Sequence, residues 1–295
     1  MKRFILKSIL FLAILCIIDL CAANVFLLRD KVKSGTGKKV NYVMNESEED
    51  LLILGSSRAV HHYNPEIFQN ELGLCTYNAG IDGNGIILMS GLLDKRIERK
   101  KPKIILYELT PGFDYEKNDN VKYLFFLKPY FNDSTIHNLF KEVDAIEYLK
   151  MHSALYRLNS YALRLLQGVM KTDNDEHQGY IPLNNVMNYE PKAPKSISQE
   201  PDSVKLKFLK ELIQVTRKNN ILLIFTISPV YSYSDSVYYT LKDFIEKENS
   251  IVLDLYEDSG FMYQKNYFSD RTHLNKVGAD TLSYIIVKNI NTLNK

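Results

Sequence analysis

The chain has 295 residues, 45% hydrophobic and 24% charged, which fits one large or two ordinary globular domains and excludes wholesale disorder or a collagen-like chain. Lys+Arg 37 against Asp+Glu 35 leaves a formal charge of +2, without the basic excess of a dedicated nucleic-acid binder. Three cysteines, two of them (Cys16 and Cys21) in an apolar N-terminal segment, exclude a disulfide framework.

Lys2, Arg3 and Lys7 precede an apolar run from Ile9 to Ile18. Apolar residues resume after Asp19, and the stretch from Ser8 to Leu28 would span roughly 30 Å as a helix. Asp19 would cost about 2.5–3.5 kcal/mol at the centre of a bilayer, so it is expected to face a partner helix or sit near the interface. A cleaved signal peptide is the rival reading, but the residues before Ala22 and Ala23 make a poor cleavage site. Residues 1–28 are therefore read as an uncleaved membrane anchor. The short basic N-terminus favours a cytoplasmic start with the body on the extracytoplasmic, periplasmic side. Residues 29–48 read as a polar linker. The GTGKK within it is no phosphate loop, because the glycine required earlier is Val32.

Five short apolar runs follow: Leu51–Leu54, Cys75–Asn78, Ile104–Leu109, Ile221–Ile227 and Ile251–Leu255. Such runs suit strands buried on both faces. Helical patterns lie between them at Gly85–Lys100, Ser203–Lys218, Ser236–Glu248 and Lys276–Ile290. Strands alternating with helices imply βαβ units and a three-layer α/β/α sandwich around a parallel sheet. Residues 114–200 break this rhythm with aromatic residues and helical patterns at Ile136–Lys150 and Ala154–Val169, then GYIPL at 179–183. This is a helical insertion between the third and fourth strands of a domain covering residues 49–295. It is either a cap on the sheet edge or a substrate-binding lid.

Three motifs carry chemistry, each at a strand end, where open α/β sheets bind ligands. LLILGSSRA (Leu51–Ala59) offers two serine hydroxyls ahead of a helix whose free N–H groups can face an oxyanion. It is not a G-x-S-x-G elbow. YNAGIDGNG (Tyr77–Gly85) clusters glycines, whose backbone can approach a substrate closely, although an ordinary tight turn explains it as well. FSDRTHLNKVGAD (Phe268–Asp280) sets Asp270 three residues before His273, so the carboxylate can fix the imidazole tautomer and stabilise the imidazolium formed on proton abstraction. Asn275 is the better cap for the last helix, leaving Asp270 and His273 for other work.

LLILGSS, NAGIDG and DRTHLN, in this order, resemble the blocks of the SGNH (GDSL-like) hydrolase family, with Ser56 where the usual block has Asp. The resemblance spans about residues 50–292 outside the insertion. It implies a flavodoxin-like fold with a five-stranded parallel sheet, Ser57 as nucleophile, Asp270 and His273 as its partners, and Gly83 beside Ser57 in the oxyanion hole. The family's Asn after the third strand has no counterpart in YELTPGFD (Tyr107–Asp114), which leaves a third donor unassigned, with Asn84 and Asn78 as candidates. Membrane-anchored relatives with GSS in place of GDS point to the cell envelope. The expected activity is a serine esterase acting on O-acyl esters of envelope carbohydrate. The alternatives are an acyltransferase subunit working with a membrane-bound O-acyltransferase, or an inactive scaffold.

Among other residues, His61 and His62 are expected to line the pocket and Arg58 to pair on the surface. Tyr231 and Tyr233 suit either sugar stacking or packing. No His/Cys/Asp/Glu cluster has zinc spacing, so neither a metal nor a cofactor is expected.

Overall fold

A computed structural model describes residues 1–173, 177–192, 200–232 and 236–293. In chain order the elements are α1 (Lys2–Ala23), a 3-10 helix (Asn24–Lys31), α2 (Gly35–Asn45), β1 (Leu51–Gly55), α3 (Ser57–His62), α4 (Pro65–Leu72), β2 (Thr76–Asn78), α5 (Ile86–Arg99), β3 (Ile104–Glu108) and α6 (Pro111–Asp114). There follow a second 3-10 helix (Val121–Tyr130), α7 (Ser134–Val143), α8 (Ala145–Lys150), α9 (Ala154–Met170), α10 (Ser203–Lys218), β4 (Leu222–Ile227), α11 (Ser236–Lys247), β5 (Ile251–Asp254) and α12 (Lys276–Leu293). They divide into two compact units: residues 1–42 with 120–173, and residues 43–119 with those described from 177 onward.

The second unit holds the sheet. Its five strands run in the order β2-β1-β3-β4-β5, every neighbouring pair parallel. This is the flavodoxin-like doubly wound order, in which the strand sequence reverses beside β1 and opens a crevice at the strands' carboxyl ends. β1, β3 and β4 are mostly apolar because both of their faces are covered, while β2 is Thr-Tyr-Asn and β5 is only part-buried. Leu51, Ile53, Leu106 and Ile224 pack with Leu282, Ile286 and Ile290 of α12, and α3 and α4 lie against α12 on that side. The alternate residues, including Leu52, Ile105 and Phe225, point to the other face, where α5 and α10 meet each other and the sheet. All five strands lie where the apolar runs predict, and α5, α10, α11 and α12 where the helical patterns do, with ends shifted by a residue or a few; α3 and α4, between β1 and β2, are additional.

Two expectations for the first unit change. Residues 29–48 are not an extended linker. The helix begun in α1 continues through the first 3-10 helix, and α2 buries Val40. Val40 carries the apolar side of a short amphipathic pattern that the flanking lysines obscure in the sequence. The single helix expected over Ile136–Lys150 is two, because Asp144 leaves helical geometry (φ −157°, ψ 118°) and its side chain caps the next helix at the N–H of Glu147. Asp19 is part-buried against α9. Its carboxylate accepts from the Ser153 hydroxyl at 2.6 Å and from the N–H groups of Ala154 at 3.0 Å and Leu155 at 2.9 Å. These are the orphan donors of a helix N-terminus, and a negative charge there is favoured by the helix dipole.

Candidate active site

β1 ends at Gly55, and the chain turns directly into α3 with Ser56 at its N-cap and Ser57 as its first residue. Ser57 thus has a backbone N–H with no partner inside its helix. Its hydroxyl lies 2.9 Å from Nε2 of His273. Nδ1 of the same ring lies 2.9 Å from Oδ2 of Asp270. The other Asp270 oxygen accepts from the backbone N–H groups of Thr272 and His273, at 2.8 and 2.9 Å, which fixes the carboxylate against the loop it serves. Ser57, Asp270 and His273, named from the sequence, are brought together as one continuous hydrogen-bonded chain. Partial burial works to raise the Asp270 carboxyl, but the hydrogen bond and charge of His273 and the two loop N–H groups outweigh it and hold the carboxyl well below the usual carboxylate range. With Asp270 ionised, Nδ1 of His273 is the protonated nitrogen and Nε2 is free to accept from Ser57.

The glycine-rich loop after β2 lies along α3. The N–H of Ile81 donates to the carbonyl of Gly55 at 3.0 Å. Asp82 approaches Nε2 of His61 at 3.4 Å, and the His61 ring stands edge-on to His273, 5.9 Å between centroids. Gly83 adopts the left-handed region at φ +67°. Its N–H donates to no protein acceptor among the described residues. Of the two asparagine candidates, Asn78 has both amide N–H groups engaged and Asn84 only one. Asn78 is fully buried and donates to the carbonyls of Ala59 and Tyr63 while accepting from the N–H of Gly80, so it is a structural tie and no oxyanion donor. The Asn84 amide donates to the carbonyl of Asp82 within its own turn at 2.9 Å. Just after β3, Thr110 is part-exposed, with its hydroxyl 2.8 Å from that of Ser56.

Arg58 is not on the surface. It is buried and faces Glu108 at the end of β3, with Nε 3.2 Å from Oε1. Its guanidinium also donates to the hydroxyl of Ser228 and, by a short contact, to that residue's carbonyl. Glu108 accepts further from the N–H and hydroxyl of Ser228 at 3.1 and 2.7 Å, from Thr226 at 2.9 Å, and closely from Tyr63. His62 does not line the pocket. It is fully buried, its Nδ1 lies 2.8 Å from the Ser228 hydroxyl, and its Nε2 accepts the N–H of Leu274 at 3.0 Å. Burial, then the nearby Arg58 charge, keep its proton affinity well below that of an ordinary imidazole. Neutral His62 therefore ties α3 to the loop that carries His273.

The returning part of the insertion laces the same elements. The N–H of Ile181 donates to the carbonyl of Val60 and the N–H of Met187 to that of Phe268, while the Asn185 amide and the Ser269 hydroxyl bond at 2.7 Å. Tyr231 packs its ring on Tyr263 and Phe268, which is the packing alternative; Tyr233 lies outside the described residues. Asn275 caps α12 through the N–H of Gly278 at 3.1 Å.

Asp114 was not singled out in the sequence. It is fully buried, and its carboxylate accepts from the N–H groups of Thr110 and Ile86 at 2.7 and 2.8 Å and from the Tyr107 hydroxyl at 2.7 Å. It thereby joins the turn after β3 to the end of the glycine-rich loop. A Cβ on Gly85 would come within 2.6 Å of that carboxylate, which explains the glycine there. Only its place four residues after Thr110, at the first helical turn beyond β3, hints at this role.

No protein-family model matches the chain, and no curated protein matches its sequence. Solved structures similar to it include a protein named for the G-D-S-L lipolytic family from Desulfitobacterium hafniense (12% identity, 81% of this chain and 98% of that chain, TM-score 0.40). Another is named as an acylhydrolase, from Bacteroides fragilis (12%, 88% and 96%, TM-score 0.43). A third is a catalytic mutant of an acetylxylan esterase from Geobacillus stearothermophilus (14%, 83% and 94%, TM-score 0.42). At these identities the site residues rest on geometry alone.

Burial drives the Asp114 carboxyl from 3.8 up to about 6, against its hydrogen-bond donors and Lys205, which pull it down. Between those values the folded chain holds a proton that the unfolded chain has released, so stability falls as pH rises through the window, by on the order of 3 kcal/mol. We predict that Asp114→Asn removes this component. Urea unfolding followed across that pH range should show a smaller loss of stability for the variant than for the parent, whatever their absolute stabilities.

Proposed function

We propose that this chain is a serine ester hydrolase of the SGNH type, and the continuous Ser57–His273–Asp270 hydrogen-bond chain is the observation that carries the reading. Ser57 Oγ attacks the ester carbonyl carbon as its proton passes to Nε2 of His273, forming one C–O bond. Asp270 keeps the proton on Nδ1 and stabilises the imidazolium without taking that proton. The tetrahedral intermediate collapses, the alcohol leaves with the proton from Nε2, and an acyl-serine remains. Water, deprotonated in turn by His273, releases the acid and restores Ser57.

The oxyanion is held by the N–H groups of Ser57 and Gly83, neither of which has a competing acceptor among the described residues. Thr110 supplies the third donor. With Ser56 donating to Thr110 across their 2.8 Å contact, the Thr110 hydroxyl proton is free for the substrate. Asn84, already bonded within its turn, shapes the loop. The substrate class we assign is an O-acyl ester of cell-envelope carbohydrate. Its support is α1, long and apolar enough to cross a membrane, which would hold the chain at that membrane with the domain on the extracytoplasmic side. Retention of α1 is supported by Asp19, whose removal with a signal peptide would strip three hydrogen bonds from the start of α9.

A fluorophosphonate probe should label the purified protein, and labelling should vanish in Ser57→Ala while persisting in Ser56→Ala. Persistence of labelling in Ser57→Ala would overturn the nucleophile assignment. Ester hydrolysis in Ser57→Ala should drop by about three orders of magnitude or more.

Asp270 is held ionised to well below the usual carboxylate range, so its own titration should contribute no step to the rate against pH at or above that range. Asp270→Asn should cut kcat by roughly 10³–10⁴-fold through the wrong tautomer.

Thr110→Val should lower kcat by about 10²-fold or more with KM little changed, as loss of one oxyanion donor does. Thr110→Ser should keep most of the rate, and equal losses in both variants would argue against a hydroxyl donor.

A further inference from the structure

Resting on the reading of α1 as a membrane anchor, we propose that the outer face of α8 and the first turns of α9 are embedded in the bilayer beside α1. The surface is unusual for one facing water. Ile146 and Leu149 on α8 are 65% and 67% exposed, and Leu163 on α9 is 67% exposed, with Leu155, Leu166 and Met170 also exposed. On α9 these residues fall at spacings of three, four and eight, so they form one stripe along the helix. The opposite face of the same helix is already buried through Tyr161 and Leu165 against Phe26 and its neighbours.

What covers the stripe follows from how α9 runs beside the anchor. Its start is fixed to Asp19, and fourteen residues further on the carbonyl of Gly168 accepts the N–H of Lys33, itself fourteen residues beyond Asp19. The two segments therefore lie side by side in the same direction. Only Phe4 to Ile18 projects beyond α9, about 22 Å of helix, which falls short of the roughly 30 Å hydrocarbon core. The bilayer must reach some five residues past Asp19, to the level of Asn24 on the anchor and Asn159 on α9. That depth takes in Leu155 and, through the bond from the Tyr156 hydroxyl to Glu147, Ile146 and Leu149 on α8; it sets Leu163 among the headgroups and leaves the last turn of the stripe, Leu166 and Met170, with Lys171 on the aqueous side.

The polar groups at this depth fit the assignment. Asp19 meets one hydroxyl and two helix N–H donors, so it is satisfied without water. Glu147 is buried and accepts from the Tyr156 hydroxyl at 2.8 Å. Arg157 is turned inward, its guanidinium 4.9 Å from the centre of the Phe26 ring. The exposed Lys150 has a long stem that can carry its ammonium to the headgroups.

The test uses the full-length chain in vesicles of phosphatidylethanolamine and phosphatidylglycerol. Single cysteines carry an environment-sensitive fluorophore, with the other native cysteines changed to Ser. Leu149→Cys and Leu155→Cys are compared with native Cys16 and with Lys171→Cys. Labels at 149 and 155 quenched by doxyl lipid about as strongly as that at Cys16, with the 171 label quenched by aqueous iodide instead, is the expected result. Iodide quenching at 149 and 155 while Cys16 is quenched by lipid would overturn the inference and leave the anchor intact. Protection of 149 and 155 from both quenchers would overturn it in favour of a second copy covering the face. Iodide quenching at Cys16 as well would bring down the anchor reading itself.

Discussion

The geometry of the candidate site depends on a charge placed where water does not reach. Glu108 ends β3 inside the protein, and a buried carboxylate is tolerated only when its lone pairs are met. Here Arg58, Tyr63, Thr226 and Ser228 meet them. Arg58 lies in the first turn of α3 and Tyr63 is its C-cap, while Thr226 and Ser228 belong to β4 and the residue just beyond it. One side chain thus locks the helix that begins with Ser57 onto the ends of two strands. From the same cluster the Ser228 hydroxyl reaches His62, and His62 reaches the backbone of Leu274, one residue beyond His273. Ser57 and His273 are 216 residues apart in the chain. They share a hydrogen bond because a second, hidden relay running through Glu108 holds their two supports in register. Breaking one member of such a network costs more than the pair itself contributes, since the remaining charge is left buried and alone.

Asp114 does a related job on the other side of Ser57. Its oxygens take the N–H of Thr110 and the N–H of Ile86, so the turn after β3 and the loop after β2 cannot drift apart. Both loops border the space in which an oxyanion would form. In the sequence this stretch looks deficient because it lacks an asparagine. In the structure it is rigid, with a threonine hydroxyl at its rim and a carboxylate beneath. Positioning groups of this kind matter because a donor misplaced by an ångström loses much of its effect on a developing charge.

The fold was legible because its signals are local. Most strands are short, largely apolar runs, the main helices carry their own stripes, and the alternation of the two leaves few topologies. The triad was legible for a different reason: Ser57, Asp270 and His273 sit in turns directly after strands or before helices, where an open sheet exposes side chains. What escaped was the environment of charges. Arg58 and Glu108 look like any surface pair until Tyr63, Thr226 and Ser228 converge on them, and that convergence depends on the register of β3 against β4. His62 misled for the same cause, since adjacency to His61 says nothing about which ring turns inward. Val40 was hidden among lysines, and Asp144 looked like one more helical residue although it ends one helix and caps the next.

Asp19 extends the same principle to the first unit. In the sequence it is a blemish in an apolar segment, to be explained by a partner or by proximity to water. In the structure it is the cap of α9, supplied from more than a hundred residues away. Glu108 is buried and Asp19 part-buried, and both are met by donors brought from elsewhere in the chain. An apolar contact tolerates sliding by a residue or two. A carboxylate that must find three or more donors does not. In each unit a carboxylate that must find several donors therefore fixes one arrangement out of the many that hydrophobic burial alone would permit, and in the second unit that choice keeps Ser57 within hydrogen-bonding reach of His273.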